Sequence, residues 1–405
     1  MIKVTFLTGE YPPMQGGIAD HISYLAGHLT PLAVESSVLI SRRWQETQPQ
    51  ADDNAHRAKP PATSLPVFPL IPNWSWRCWP AVANYLDSHR PDILHIQYQA
   101  AAFDLGGWVT WLPWYLKKRR RSTRVVTTFH DLRIPYIFPK AGPFRWKSIL
   151  ALARHSDGVI CTNREDLHTL RDELSSQPHL ALVPLGSNVD PQPPPDFDRP
   201  AWRSRYQATE DTLLLAYFGF LNESKGGEEL IEALALLRRQ GIDARLLFIG
   251  GEVGHADPTN VAYARRVQAL IDRLELTGFV HRTGYTALPQ VSANLLAADV
   301  VVMPYRDGVS FRRTTLIAAL RHGCPVVSTT PTDPSLIPEI KPGQNMLLAP
   351  PHNAAGLAET IVPLATDLAL RQRLAAGARQ LGGLFEWERI AKETTALYQK
   401  ILELN

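Results

Sequence analysis

Four stretches of this 405-residue chain combine residue types that can hold an oxyanion or exchange hydrogen bonds with hydroxyls. The densest is Pro304-Tyr305-Arg306-Asp307-Gly308-Val309-Ser310-Phe311-Arg312-Arg313-Thr314-Thr315, which follows an apolar run and opens a helical segment. Two adjacent arginines at a helix start, followed by two threonines, make a compact oxyanion receptor. Asp307 could accept hydrogen bonds from sugar hydroxyls, or simply cap a turn. The stretch Phe218–Gly227 reads as strand, glycine loop, lysine, helix. There Gly219 admits the backbone to a ligand and Lys225 brings a point charge to a helix start. It is not a Walker loop, because G-x-x-x-x-G-K-[ST] is absent. Gly16-Gly17-Ile18, between the first strand and its helix, could likewise approach an anion, and the lack of G-x-G-x-x-G argues against a dinucleotide. In Phe129-His130-Asp131-Leu132, His130 stands just beyond an apolar strand, where an imidazole can bond a hydroxyl or stabilise phosphate charge. The plainer readings are loop glycines, a solvated lysine, solvated arginines and a satisfied histidine. His95, inside an earlier strand, reads as structural.

Such residues need a scaffold, and the hydrophobic pattern supplies one. Strand candidates in the first half are Val4–Leu7, Ser37–Ile40, Ile93–Ile96, Val125–Phe129, Gly158–Cys161 and Leu180–Val183. In the second half they are Leu213–Phe218, Leu246–Ile249, Val280–Thr283, Val300–Met303 and Val326–Ser328. Most are continuously apolar, the mark of strands covered on both faces. Segments such as Ile18–Leu29, Glu228–Arg239, Ala262–Leu276 and Ala355–Val362 carry apolar residues three and four apart, as helices do. Alternation repeated twice predicts an α/β chain of two doubly wound parallel sheets. The stiff Asp190-Pro191-Gln192-Pro193-Pro194-Pro195 segment divides them, giving domains of about 1–187 and 199–385, with a last helix near Glu386–Leu402. Ligands of such sheets lie beyond the carboxyl ends of the strands, which is where the four stretches fall.

Composition narrows the classes. With 45% hydrophobic and 20% charged residues the chain is neither disordered nor a disulfide mini-protein. Cys78, Cys161 and Cys324 lie far apart, which argues against a cysteine–zinc site and fits a reducing, cytoplasmic setting. Nothing reads as a signal peptide or a membrane span. A net charge of +3 does not suggest nucleic acid, and no nucleic-acid motif is present. Between Lys117 and Arg171, however, 13 basic residues face 4 acidic ones, a patch that would attract anions. Ahead of it stand Trp74, Trp76, Trp79, Trp108, Trp111 and Trp114. Core packing is their ordinary use; an apolar acceptor groove or contact with an anionic membrane surface is the functional one.

Taken in order, these segments resemble the family 4 glycosyltransferases, which are retaining, use nucleotide sugars and have the GT-B fold. The resemblance runs from Gly9-Glu10-Tyr11-Pro12-Pro13 and Gly16-Gly17 through Asp92-Ile93-Leu94-His95, Thr128-Phe129-His130-Asp131 and Val183-Pro184-Leu185-Gly186 with Asp190. It continues in Lys225-Gly226, Thr283-Gly284-Tyr285, Gly323-Cys324-Pro325-Val326-Val327, Pro338-Glu339-Ile340 and Phe385-Glu386-Trp387. It implies an acceptor-binding first domain, a donor-binding second domain, and a final helix (about 386–405) crossing back to the first. It also implies a nucleoside-diphosphate sugar donor, with a glycan or lipid-linked hydroxyl acceptor and no metal or other cofactor. The donor set would be Gly16, Gly17, Gly219, Lys225, Ser310, Phe311, Arg312, Arg313 and Thr314, with Tyr285 at the base and His130 and Asp307 as the catalytic candidates. Two departures stand out. The family's paired glutamates fall on Ser310 and Ala318, and its arginine ahead of the lysine falls on Phe220. A non-catalytic nucleotide- or glycan-binding protein is therefore the alternative, with an epimerase or phosphorylase of the same fold behind it.

Overall fold

The computed structural model describes residues 1–14, 16–47, 65–119, 121–132, 142–174, 179–251 and 258–403. Two compact units result, Met1–Gly186 with Trp387–Asn405, and Ser187–Glu386. The proline-rich segment thus belongs to the second unit.

The first unit holds β1 (Ile2–Leu7), β2 (Val34–Ser41), β3 (Val67–Ile71), β4 (Ile93–Tyr98), β5 (Arg124–Phe129), β6 (Gly158–Cys161) and β7 (His179–Leu182). They form one sheet in the order β3-β2-β1-β4-β5-β6-β7, with every pairing parallel. The second unit holds β8 (Leu213–Phe218), β9 (Ala244–Ile249), β10 (Val280–Arg282), β11 (Val300–Met303), β12 (Val326–Thr329) and β13 (Leu347–Ala349). Their order is β10-β9-β8-β11-β12-β13, again all parallel. Helices cover both faces, so the central strands have no polar side to show: all four residues of β11 are buried.

Each sheet reverses its winding once, between β1 and β4 in the first unit and between β8 and β11 in the second. Loops leaving adjacent strands on opposite sides of such a reversal part and open a crevice. The chemistry-bearing stretches after β1, β8 and β11 border these two reversals.

The C-terminal helix Trp387–Leu402 packs on the first unit. Its buried stripe of Trp387, Ile390, Ala391, Thr394, Leu397, Tyr398 and Ile401 repeats at three and four residues. Trp387 stacks on Tyr24 of the helix Gly17–Leu29, with centroids 5.4 Å apart and planes within 8°. On its other side a Cβ at Gly186 would lie 2.3 Å from Trp387 Cε2, so only glycine allows this approach. Tyr398 reaches His95, which is wholly buried and also hydrogen-bonded to Thr128; both distances are 2.7 Å or less. His95 is structural.

Candidate functional site

In the second unit, two loops meet at the reversal. The loop after β8 turns at Gly219 (φ +118°) and Gly226 (φ +69°), backbone that L-residues with a side chain rarely adopt. Gly226 is packed so tightly that a Cβ would sit 2.0 Å from the Pro304 carbonyl oxygen of the loop after β11. Arg306 N–H also donates to the Ser224 carbonyl at 2.8 Å. The two loops are therefore held as one unit, and Lys225 lies between them.

The Lys225 ammonium donates to the Phe220 carbonyl at 2.8 Å and would lie 3.4 Å from a Cβ at Gly219. Burial, and then the nearby Arg313 charge, pulls its pKa from 10.5 down to about 8. A cation held against its preference in this way is predisposed to an anion. Arg313 is itself largely buried; its Nη2 donates to Asp307 Oδ1 and Oδ2 at 2.5 and 2.7 Å, and its guanidinium lies 4.2 Å from the Tyr305 ring centroid. Asp307 therefore orients Arg313, and with its side chain 45% exposed it keeps acceptor sites open to solvent. Ser310 Oγ accepts from the Arg312 N–H at 3.3 Å. The helix Thr314–Arg321 begins here with no side-chain cap, leaving first-turn N–H groups for an anion. Phe311 turns inward, its ring 5.0 Å from Phe385. Arg306 is diverted from the site: Glu229, Glu228 and Glu223 bind its guanidinium. At Ala318, in the same helix, the side chain is buried and no carboxylate stands there.

Tyr285 is 71% exposed just beyond β10, at the sheet edge two strands from β8. It follows Gly284, which bridges to Gly250 after β9, and a Cβ at neighbouring Gly251 would touch the half-exposed Phe220 ring at 3.2 Å. The Phe220 ring of the loop after β8 thus packs close against Gly251 of the loop after β9.

In the first unit, Gly16 precedes the helix Gly17–Leu29, and a Cβ there would strike the Glu10 carboxylate at 1.9 Å. Gly17 faces open space. His130 follows β5; its N–H donates to the Tyr98 carbonyl and its Nε2 pairs with Gln97 Oε1 at 2.8 Å. The His21 ring stands edge-on to it at 4.9 Å. Burial pulls the His130 pKa down to about 4, so near neutrality it is an uncharged hydrogen-bonding group. In that state it can exchange a hydrogen bond with a hydroxyl; an adjacent phosphate would raise its pKa again. Gln97 was not singled out from sequence. It is fully buried and its Nε2 has no partner among the described residues. The available signal was a lone amide within the apolar run Ile93–Tyr98.

The tryptophans divide. Trp74 is core, packed on Phe103, while Trp76, Trp108 and Trp114 are exposed by 54, 45 and 37%. Trp79 ties the group together, donating from Nε1 to the Trp108 carbonyl and lying near Trp114 and Tyr115. No helix among the described residues is long and apolar enough to cross a membrane.

Two parallel-sheet units with these switch-point loops define a GT-B glycosyltransferase architecture. Solved structures agree on the fold. Sucrose-phosphate synthase from Thermosynechococcus elongatus aligns over all of both chains with a TM-score of 0.72 and 21% identity. Anabaena HepE in complex with UDP aligns over 99% of this chain and all of its own, with a TM-score of 0.74 and 17% identity. Family models described as Glycosyltransferase Family 4 and Glycosyl transferases group 1 match residues 15–190 and 212–367. The chain belongs to the family 4 glycosyltransferases. Its relatives include D-inositol 3-phosphate glycosyltransferases. The Streptomyces bingchenggensis protein is 26% identical over 61% of this chain, a match spanning about half (53%) of that relative. The Geodermatophilus obscurus protein is 27% identical over 80% of this chain and 70% of its own.

Proposed function

We propose that this protein transfers a sugar from a nucleoside diphosphate to an acceptor hydroxyl with retention of configuration. The observation that carries this reading is the meeting of Lys225, Arg313 and an uncapped helix start in two interlocked loops at the reversal of the second sheet. The diphosphate sits against these groups, with Arg312 and Ser310–Thr314 completing the cradle and the base towards Phe220 and Tyr285. When the bond from the anomeric carbon to phosphate oxygen breaks, negative charge grows on the diphosphate. Fixed cations and backbone dipoles stabilise that charge without rearranging. The acceptor oxygen then bonds the anomeric carbon on the face the phosphate leaves, and its proton passes to the departing phosphate oxygen. No carboxylate is needed for this step. The likeness to HepE with UDP supports a nucleotide donor of this type. The exposed indoles of Trp76, Trp108 and Trp114 favour an acceptor with a lipid or other apolar portion, bound by the first unit beside an anionic membrane.

Calorimetric titration with a panel of nucleoside diphosphates and their sugars, paired with product analysis by NMR, tests this. Binding of a diphosphate that weakens in Lys225→Ala and Arg313→Ala, with an axial-to-axial or equatorial-to-equatorial product, is expected. Binding unaffected by either substitution would refute the site. The second reading, a glycan- or nucleotide-binding protein without turnover, is favoured by the side chains at Ser310 and Ala318 and by the commitment of Asp307 to Arg313. Donor binding with neither transfer nor hydrolysis would select it.

A further inference from the structure

The amino-terminal edge of the first sheet carries a basic pocket that the transferase chemistry does not use. It has a volume of about 730 Å³ and is lined by Leu86, Asp87, Arg90, Arg119, Arg121, Ser122 and Thr123. These residues lie at the end of the helix Cys78–His89, before β4, and after the helix Leu112–Lys118, before β5. Gly16–Gly17 and His130 follow the opposite ends of their strands, so the pocket lies at the other end of the strands from them.

Its three arginines are positioned in different ways. Arg121, mostly buried, grips both carboxylate oxygens of Asp87 through Nη1 and Nη2, and its buried Nε has no partner among the described residues. Arg119 is exposed, its guanidinium 4.8 Å from the centroid of the Tyr115 ring. Arg90 ends its helix in the left-handed conformation at φ 45°. The walls are anchored: Thr123 Oγ1 donates to the Pro91 carbonyl at 2.9 Å, and the Arg124 N–H donates to the Asp92 carbonyl at 2.9 Å. Arg121, through its hydrogen bonds and charge, and then Arg119 and Arg90 hold the Asp87 carboxyl below its usual range, and all four side chains line the one pocket. One carboxylate against three guanidiniums leaves the lining with two positive charges in excess.

We propose that this pocket binds a phosphate-bearing ligand. Planar guanidinium forks suit tetrahedral oxyanions, and the exposed Ser122 beside them offers a hydroxyl donor. The volume exceeds a bare phosphate, which indicates a phosphate carrying a further group. That group belongs either to a lipid headgroup at a membrane surface or to a soluble phosphorylated compound.

The test uses inorganic pyrophosphate as the soluble probe, and phosphatidylcholine vesicles with and without phosphatidylglycerol as the lipid probe. Calorimetry is run on the whole chain carrying Lys225→Ala, which weakens the proposed donor site, and the pocket is read from the change that its own variants make, so failure here and failure of the transferase reading are separable. Arg90→Gly with Arg119→Gln should weaken pyrophosphate about tenfold or more; glycine keeps the left-handed backbone at position 90 unstrained. Asp87→Asn should strengthen it, by about threefold, because it removes the one opposing charge. Loss of pyrophosphate binding with vesicle binding unchanged assigns a soluble phosphorylated ligand. Loss of binding to phosphatidylglycerol vesicles assigns a lipid headgroup. The proposal is overturned if neither probe binds the Lys225→Ala protein, or if the arginine pair leaves both unchanged. Should the pair fail to fold, the sign of the Asp87→Asn effect decides: weaker or equal binding of pyrophosphate and vesicles overturns it.

Discussion

Raising the pH through the alkaline range should release a nucleoside diphosphate from this protein, and Lys225 sets where. Burial and Arg313 bring its pKa from 10.5 to about 8 in the empty protein. That depression is worth about 3 kcal/mol, at roughly 1.4 kcal/mol per pH unit. A diphosphate beside the ammonium supplies the missing counter-charge and draws the pKa back towards its ordinary value. Between about pH 8 and 10.5 binding must then take up a proton, and affinity falls by up to about tenfold per unit, to a limit near 300-fold. In Lys225→Arg the guanidinium stays charged throughout, so the affinity should hardly change over this range. Lys225→Met should be weaker by about ten- to a hundredfold near neutrality and equally flat. Calorimetry with UDP as probe, in two buffers of different ionisation enthalpy, counts the proton directly: close to one for the wild type near pH 9, none for either variant. The same depression acts on folding with a definite sign. The unfolded chain binds more protons between about pH 8 and 10.5, so stability from this group rises with pH across that window. A wild-type affinity that stays flat through pH 10, or an equal slope in Lys225→Arg, would refute the reasoning.

Acid should weaken the first unit. Burial holds His130 at about 4 and His95 at about 3, and His21 is lowered by burial and then by His130 and His95. Their stabilising neutral state is fully in place above about pH 6.5 and is lost as pH falls towards 4, each adding up to about 1.4 kcal/mol per pH unit; urea midpoints that do not move between about pH 7 and 5 would contradict it. Gly226→Ala should cost about 3 kcal/mol, from positive φ and the collision with Pro304, and displace Lys225. Gly278→Ala, with nothing within 4 Å, is the control, and thermal melts compare the two. Trp387→Ala should destabilise the first unit by about 3–5 kcal/mol. Gly186→Ala should also destabilise, but far less in the Trp387→Ala background, a non-additivity that a double-mutant cycle by chemical denaturation would detect.

Most of the fold is determined locally and so was legible in the chain. Short, continuous apolar runs bounded by turn residues suit strands buried on both faces, and runs such as Leu213–Phe218 and Val300–Met303 form strands at those same residues. The unrecognised strands, β3 and β13, are edges: Val67–Ile71 carries Pro69, which an edge tolerates, and Leu347–Ala349 has only three residues. The positions of Lys225 and Arg313 after strands also followed from pattern alone, because strand ends and glycines are local signals.

What each charge does there was settled only by tertiary contact. Arg306 and Arg313 are near neighbours in sequence, yet three glutamates take the first, while the second is held by Asp307 and set against the Tyr305 ring. In sequence Asp307 reads as an acceptor for hydroxyls or a turn cap, and His130 as a partner of a hydroxyl or phosphate or as a satisfied histidine. The fold adds what spacing does not carry: Asp307 pairs with Arg313, and burial lowers the His130 pKa. Composition specifies which groups can ionise. Whether they do, and towards what they point, depends on water removed and partners delivered by segments far along the chain, and no spacing rule encodes that.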